Sequence, residues 1–315
     1  MTGTLTLVAT PIGNLGDVPP RATEALAGAA IVCCEDTRRT GRLLEHLGVP
    51  KATYLVVNEH TEHGAAVEVV EALLRGDGVA LVTDAGTPGI SDPGGRIVRA
   101  ALDAGCTVTM VPGPSAAVMA LVLSGLDSSR FVFEGFLPRS GEARDARIAE
   151  IAREGRTTVI YEAPHRLERT LADLSSACDP ERRVAVAREL TKLHEEVRRT
   201  SLAEAAAHAR DVEPRGEYVV VVEGAPAAAP AGDDELRTAL RSLLDAGSSV
   251  RDAAADVAAR FDVPRNRTYD LALNVAAWRM ASSTAGHDGG APICTTGIGR
   301  ASPPTAPRAA ARPSA

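Results

Sequence analysis

The residues with chemical promise gather where strands should end. Thr83-Asp84-Ala85-Gly86-Thr87-Pro88-Gly89-Ile90-Ser91-Asp92-Pro93-Gly94 follows one short apolar run. Ala9-Thr10-Pro11-Ile12-Gly13-Asn14-Leu15-Gly16-Asp17 follows another, and Val111-Pro112-Gly113-Pro114-Ser115 closes a third. Glycine lets backbone lie against a ligand and take positive φ, and proline fixes the turn. In open α/β sheets ligands sit outside the carboxyl ends of the strands. Any one of these loops read alone is an ordinary turn, but three on one sheet edge describe a pocket. Rival chemistries lack their residues. There is no GxxxxGK[ST] phosphate loop, no GxGxxG after the first strand and no Ser nucleophile elbow. His60 and His63 are close in sequence but lack further metal ligands around them.

The elements that hold these loops alternate along residues 1–111: β-like runs at 5–9, 31–34, 54–57, 79–83 and 107–111, with amphipathic stretches such as 65–75 and 96–104 between them. That alternation predicts an α/β layer with a largely parallel sheet. Ser115 is a fit N-cap for the apolar run that follows it. A second α/β rhythm has strands at 131–133, 157–161, 183–187 and 217–223, separated by helices at about 142–153, 166–175 and 202–209. The domains expected are an N-terminal α/β domain at 1–114, a second at 115–224, a small helical domain at 234–280 and a disordered tail at 281–315. The Ala/Pro-rich stretch 224–233 reads as a linker. In Ser249-Val250-Arg251-Asp252 the spacing approximates a capping box, and Pro264 ends that helix.

Composition bounds the rest. A hydrophobic share of 45% supplies a core, and with aromatics at 3% that core is built from Ala, Val and Leu. No apolar run reaches membrane-span length, and no basic region precedes an apolar stretch, so neither a membrane span nor a signal peptide is expected. The five cysteines form no CxxC pair and are expected as reduced, mostly buried thiols. A formal net charge of −7 argues against holding nucleic acid by bulk charge alone. Local basic groups remain: Arg38, Arg39 and Arg42; Arg139, Arg144 and Arg147; Arg198 and Arg199. Each also reads as a solvated helix face.

Eight blocks stand in order along the chain: ATPIGNLGD, CEDTRRTGRLL, VTDAGTPGISDPG, VPGPSA, FEGFLPR, YEAPHR, ARELTKLHEE and RGEYVVVVEG. Together they resemble the tetrapyrrole-methylase superfamily, in the branch that methylates a ribose 2′-hydroxyl of 16S ribosomal RNA. The resemblance runs from about residue 5 to 224, and 234–280 resembles the small C-terminal domain of many members. It implies a cytoplasmic two-domain α/β enzyme, usually a homodimer, with S-adenosylmethionine folded into the cleft between the domains. The implied partner is 16S rRNA in the 30S subunit, and the implied target is a cytidine of its decoding region. Carried over by position, Pro11 lies near the cofactor, and Ala85, Gly86, Thr87, Pro88 and Ile90 match the superfamily's Gly-Asp-Pro loop. Ser115 and Ala116 match residues that close over the adenosine. Glu162 and Leu190 are the contacts from the second domain. Thr87 stands where the porphyrin branch carries Asp, which favours the RNA branch.

Methyl transfer from a sulfonium is an in-line displacement, so holding the reacting atoms in line is the enzyme's main task. A ribose hydroxyl is a weak acid, and a proton acceptor helps typically by 10²–10⁴-fold. Asp36, Glu134 and His165, each inside a block, are the candidate acceptors. Asp36 could instead pair with Arg38 or cap the next helix, and His165 could orient a loop, contact a phosphate, or leave the proton to water. Arg38, Arg139, Arg166, Arg188 and Lys192 are the candidate RNA contacts, unless pairing with Asp36, Glu162, Glu189, Glu195 or Glu196 occupies them. Two other functions fit parts of the pattern: a porphyrinoid or diphthine methyltransferase, and a non-catalytic ribosome-assembly protein that binds RNA through 234–280.

Overall fold

The computed structural model describes residues 2–50, 53–58, 60–226 and 231–284. They fall into two units, Met1–Ala227 and Ala228–Ala315. The first unit holds two five-stranded sheets. Strands β1 (Thr4–Val8), β2 (Ile31–Cys34), β3 (Thr53–Val56), β4 (Val79–Leu81) and β5 (Thr107–Val111) form the first, in the order β3-β2-β4-β1-β5. Every pairing in it is parallel. Side chains alternate along each strand, and here both faces are apolar. Leu5, Leu7, Cys33, Val79 and Leu81 pack with Val69, Leu73 and Ile97 of α3 (Glu62–Arg75) and α4 (Gly95–Asp103). Val8, Val32, Cys34, Ala80 and Val82 pack with Ala22, Leu26 and Leu44, from α1 (Pro20–Ala27) and α2 (Thr37–His46). Burial on both faces explains why these strands read as continuous apolar runs. The expected bounds at 5–9, 54–57 and 79–83 shift by one or two residues.

The second sheet runs β6 (Phe131–Phe136), β7 (Thr157–Glu162), β10 (Tyr218–Val222), β8 (Arg183–Arg188), β9 (Glu196–Ser201) in spatial order. Only β6 and β7 pair in parallel. Helices α6 (Glu142–Arg153), α7 (Pro164–Ala177) and α8 (Leu202–Asp211) bury one face through residues such as Ile151, Leu171 and Leu202. Helix α5 (Ala116–Ser124) covers the other with Ala117, Ala120 and Leu121. The division expected at 114/115 runs between the two sheets and lies inside the first unit.

Three local expectations need correction. Ser115 stands at the N-cap of α5, but its hydroxyl makes no capping bond; the Tyr161 hydroxyl takes the Ala117 N–H at 3.2 Å instead. Arg198 and Arg199 lie on β9, a polar edge strand that was not expected, rather than on a helix face. Arg199 Nε donates to the Leu123 carbonyl at 2.9 Å, near the end of α5. Arg144, read as part of a solvated cluster, is 1% exposed.

The second unit packs α9 (Asp233–Asp245), α10 (Val250–Phe261) and α11 (Arg265–Thr284) around Leu236, Leu240, Val257 and Ala272. Ser249 accepts from the Asp252 N–H at 3.1 Å and donates to its carboxylate at 2.7 Å, as the capping spacing predicts. Helix α11 continues to Thr284, past the expected end at 280. The remainder of the expected tail, with Cys294, lies outside the described residues. The other cysteines are free thiols, and Cys33, Cys34 and Cys106 are buried. Burial pushes Cys33 up to about 12 and raises Cys34 as well. Among the described residues no helix is long and apolar enough to cross a membrane.

The buried Arg144 bonds to three structural neighbours at once. Its guanidinium donates to Asp173 at 2.8 and 2.9 Å, to the Thr170 hydroxyl at 3.0 Å and to the Pro138 carbonyl at 3.1 Å. Removing one partner of such a set leaves buried polar atoms unsatisfied. Arg144→Ala is expected to destabilise the protein by about 2–3 kcal/mol, near the low end because Asp173 keeps access to water. Urea unfolding read by circular dichroism checks this, and Arg144→Lys should recover only part of the loss, because it lacks the planar fork.

Candidate functional site

Loops at the carboxyl ends of β1, β4 and β5 are stitched to one another by backbone. Thr10 and Gly86 exchange two hydrogen bonds, 2.9 and 3.0 Å, as an isolated antiparallel bridge. The Thr10 hydroxyl donates to the Thr83 carbonyl at 3.0 Å. The Thr87 hydroxyl donates to the Pro114 carbonyl at 3.1 Å, joining the second loop to the third. Gly86 has φ +84°, a conformation that favours glycine. Further along, buried Glu62 at the start of α3 accepts from the Gly94 and Arg96 amides at 2.9 and 3.0 Å, which fixes where the loop turns into α4.

From the second sheet comes a strained turn at 189–192, with Glu189 at φ +49° and Thr191 at φ +67°. Its Leu190 is buried. Gly13 of the first loop lies against it so closely that a Cβ there would stand 2.3 Å from Lys192 Cγ. Lys192 Nζ bridges Glu189 at 2.8 Å and Glu217 at 2.9 Å.

Between these loops lies a cavity of about 360 Å³, within the range of small-molecule sites. The first sheet contributes Ile12, Ala85, Gly86, Thr87, Ile90, Ser91 and Asp92. The second side contributes Ala116, Phe136, Tyr161, Glu162, Leu190 and Val219, among others. Tyr161 is set by edge contacts with Phe133 and Phe136, at centroid distances of 5.0 and 5.7 Å.

Of the ten cofactor residues expected from sequence, Ala85, Gly86, Thr87, Ile90, Ala116, Glu162 and Leu190 line this cavity. Pro11 does not; it lines an adjoining pocket of about 270 Å³ with Arg39, Arg42 and Asp84. Pro88 and Ser115 belong to the same loops without lining the cavity. Glu162 needs a distinction. Its carboxylate is 0% exposed and is held by Arg166 at 3.1 Å, the Ala163 amide at 2.9 Å and the Thr170 hydroxyl at 2.5 Å. Only its main chain is left to face the cavity.

The three expected proton acceptors are not gathered there. Asp36 caps α2 by accepting from the Arg38 amide at 2.8 Å and pairs with the Arg38 guanidinium at 2.8 Å. Hydrogen bonds from Arg38 hold its carboxyl well below the usual range, which makes it a poor base. Glu134 pairs with Arg147 at 3.3 Å, and His165 is exposed in the first turn of α7, outside the cavity lining.

The expected RNA contacts divide in the same way. Arg166 holds Glu162 and donates to the Leu137 carbonyl at 2.6 Å, and Lys192 is ion-paired. Arg188 donates to the Arg215 carbonyl at 2.8 Å and lines a separate groove between α7, α8 and β8. Arg38 and Arg139 are exposed, and Arg139 has no ion pair among the described residues.

Ten lining residues were not among those expected, and Asp92 is the one whose chemistry the fold changes most. Burial, then the charges of Glu35 and Asp84, push Asp92 up to about 7. It lay in plain view inside the longest loop block, but nothing local in the sequence brings Glu35 to it.

Residues 4–206 match the family model of the tetrapyrrole (corrin/porphyrin) methylases, and residues 230–275 match that of the RsmI C-terminal HTH domain. The ribosomal RNA small subunit methyltransferase I of Synechocystis sp. is 44% identical over 87% of this chain and 99% of its own length. That of Xylella fastidiosa is 48% identical over 71% of this chain and 82% of its own. Among solved structures, the methyltransferase CobJ superposes with a TM-score of 0.55 at 22% identity, over 71% of this chain and 95% of that one. This last likeness is one of fold.

Proposed function

The chain belongs to the tetrapyrrole (corrin/porphyrin) methylase family, in its ribosomal RNA small subunit methyltransferase I branch, and we propose that it methylates the ribose 2′-hydroxyl of a cytidine in the decoding region of 16S rRNA, within the 30S subunit. The observation that carries the reading is the cavity, where both sheets contribute the residues expected to hold S-adenosylmethionine. Its lining suits that molecule. Among the described residues lining it there is no Lys, Arg or His, and Glu217 brings a carboxylate that is paired with Lys192. A sulfonium with an ammonium group fits such a wall; a phosphate does not. Ile12, Ile90, Leu190 and Val219 provide apolar walls, and the Ala85–Gly86 backbone offers a face free of bulky side chains.

Bound there, S-adenosylmethionine supplies a methyl group on a sulfonium that departs as a neutral thioether. The protein's residues do the positioning. Backbone at 85–87 is held by Thr10 and Pro114, and the Ala117 amide beside Ala116 is held by the Tyr161 hydroxyl, so these hydrogen bonds position the site's backbone. The RNA contacts in this reading are the exposed Arg38 and Arg139, joined by Arg39 and Arg42 beside Pro11. Arg166 and Lys192 support the cavity from behind. The reading includes a homodimer, and a C-terminal helical unit that assists RNA binding.

Three measurements test it. Gly86→Val forces a β-branched residue into φ +84°; loss of S-adenosylhomocysteine binding by calorimetry is expected, with a lowered melting temperature from the strained backbone, and wild-type affinity in the folded variant would place the site elsewhere. Supplied with labelled S-adenosylmethionine, the protein is expected to methylate 30S subunits. Labelling of a short free oligonucleotide should be much weaker, since the net charge of −7 disfavours naked RNA. Labelling of uroporphyrinogen III instead of RNA would reverse the substrate. Finally, truncation after Pro226 keeps the Ala225–Glu154 backbone bond of the first unit and removes α9–α11. Retained cofactor affinity, weaker 30S binding and a shallower salt dependence are expected; loss of cofactor binding in a folded truncation would assign the helical unit to the site.

A further inference from the structure

Ribose methylation leaves one proton to place. Asp36 is tied to Arg38, Glu134 to Arg147, and His165 stands outside the cavity. Asp92 is differently situated. It lines the cavity together with Ser91 and Tyr161, and its carboxylate has no hydrogen bond or ion pair among the described residues.

The loop that presents it is fixed on both sides. Ser91 is held at φ +61°, a conformation a non-glycine residue keeps only when its surroundings impose it. Gly135 on β6 comes so close that a Cβ there would stand 2.9 Å from the Ser91 hydroxyl oxygen. Beyond Pro93, the Gly94 amide is anchored on Glu62. The groups that interact electrostatically with Asp92 are Glu35 at the end of β2, Asp84 after β4, and Tyr161 on β7. Glu35 accepts from the Asp84 amide at 3.1 Å, and Arg39 is engaged by Asp84 at 3.4 Å. Glu217 and Tyr218 also line the cavity, whereas the Glu162 carboxylate is turned away and held by Arg166. Asp92 is thus a half-buried carboxylate among carboxylates, with no cation of its own.

We propose that Asp92 is the catalytic residue that accepts the ribose 2′-hydroxyl proton, an inference that rests on the ribose methylation proposed above. The O2′–H proton passes to an Asp92 carboxylate oxygen as the O2′–CH₃ bond forms. The donor's S–CH₃ bond breaks with its electron pair going to sulfur, and Asp92 then releases the proton to water. Its neighbours suit it to this task. An ordinary aspartate is too weak a base, whereas a carboxyl raised to about 7 matches the working pH.

The signs follow. Activity requires ionised Asp92, so the rate falls as pH drops through about 7. Because the folded protein holds this proton more tightly than the unfolded chain, Asp92 lowers stability progressively as pH rises from about 4 to about 7.

The test compares wild type, Asp92→Asn and Glu35→Gln with 30S subunits at saturating S-adenosylmethionine. Asp92→Asn is expected to lose about 100-fold or more in kcat, to bind S-adenosylhomocysteine like the wild type, and to melt at higher temperature than wild type at pH 8. Glu35→Gln keeps an acceptor for the Asp84 amide but removes a like charge, so the acid limb of its rate profile should move to lower pH. Carboxyl ¹³C spectra of the free protein should show one aspartate titrating near pH 7 that Asp92→Asn removes. Full kcat in a folded Asp92→Asn variant, or an acid limb that Glu35→Gln leaves in place, overturns the inference. Lost S-adenosylhomocysteine binding with kcat intact makes Asp92 a cofactor anchor and overturns it too. A wild-type protein that leaves 30S ribose unmethylated overturns the underlying reading instead, and is told apart by the wild-type arm alone.

Discussion

The pair of backbone hydrogen bonds between Thr10 and Gly86 is the constraint on which the cavity depends. Loops leaving the carboxyl ends of parallel strands carry amides and carbonyls with no ladder to join. If each bonded to water, the loops would be mobile; if they bonded fully to one another, they would fill the space. One two-residue bridge, with Thr87 reaching Pro114 and Thr10 reaching Thr83, satisfies enough of them to fix the loops and leaves Ala85 and Gly86 lining the cavity.

The second sheet contributes rigidity by a different route. The Glu162 carboxylate is buried behind its own strand end and is held by Arg166 and Thr170; Thr170 is in turn held by Arg144. Charge buried this way is stable only with its partners in place. The chain of bonds runs from the interior of α6 to the cavity wall, so it couples how well α6 and α7 pack to where the main chain of Glu162 lies.

Much of this was legible in the sequence for identifiable reasons. Parallel strands buried on both faces produce apolar runs, and turns that need positive φ or close approach produce glycine, so the sheet and its three loops could be read directly. What escaped depends on meetings across the fold. Strand β9 is Glu-Val-Arg-Arg-Thr-Ser, an edge strand with polar side chains, and no apolar alternation marks it. Arg144 has the look of any helix-surface arginine until Asp173 and Pro138 are brought to it. Asp92 sat inside a block already singled out, yet its character comes from Glu35, on another strand. Asp36, by contrast, behaved as its local sequence suggested, as a cap and a partner for Arg38.

The paired cysteines of β2 have a consequence of their own. Cys33 and Cys34 point to opposite faces of the first sheet, one against α3 and α4, the other against α1 and α2. With burial raising Cys33 to about 12, its thiolate is scarce at neutral pH. Alkylating reagents and peroxides therefore meet an unreactive sulfur while the sheet is closed. Labelling of Cys33 proceeds through the rare openings that let water reach β2, and its rate becomes a clock for the breathing of the central sheet, supplied by the native sequence without any introduced probe.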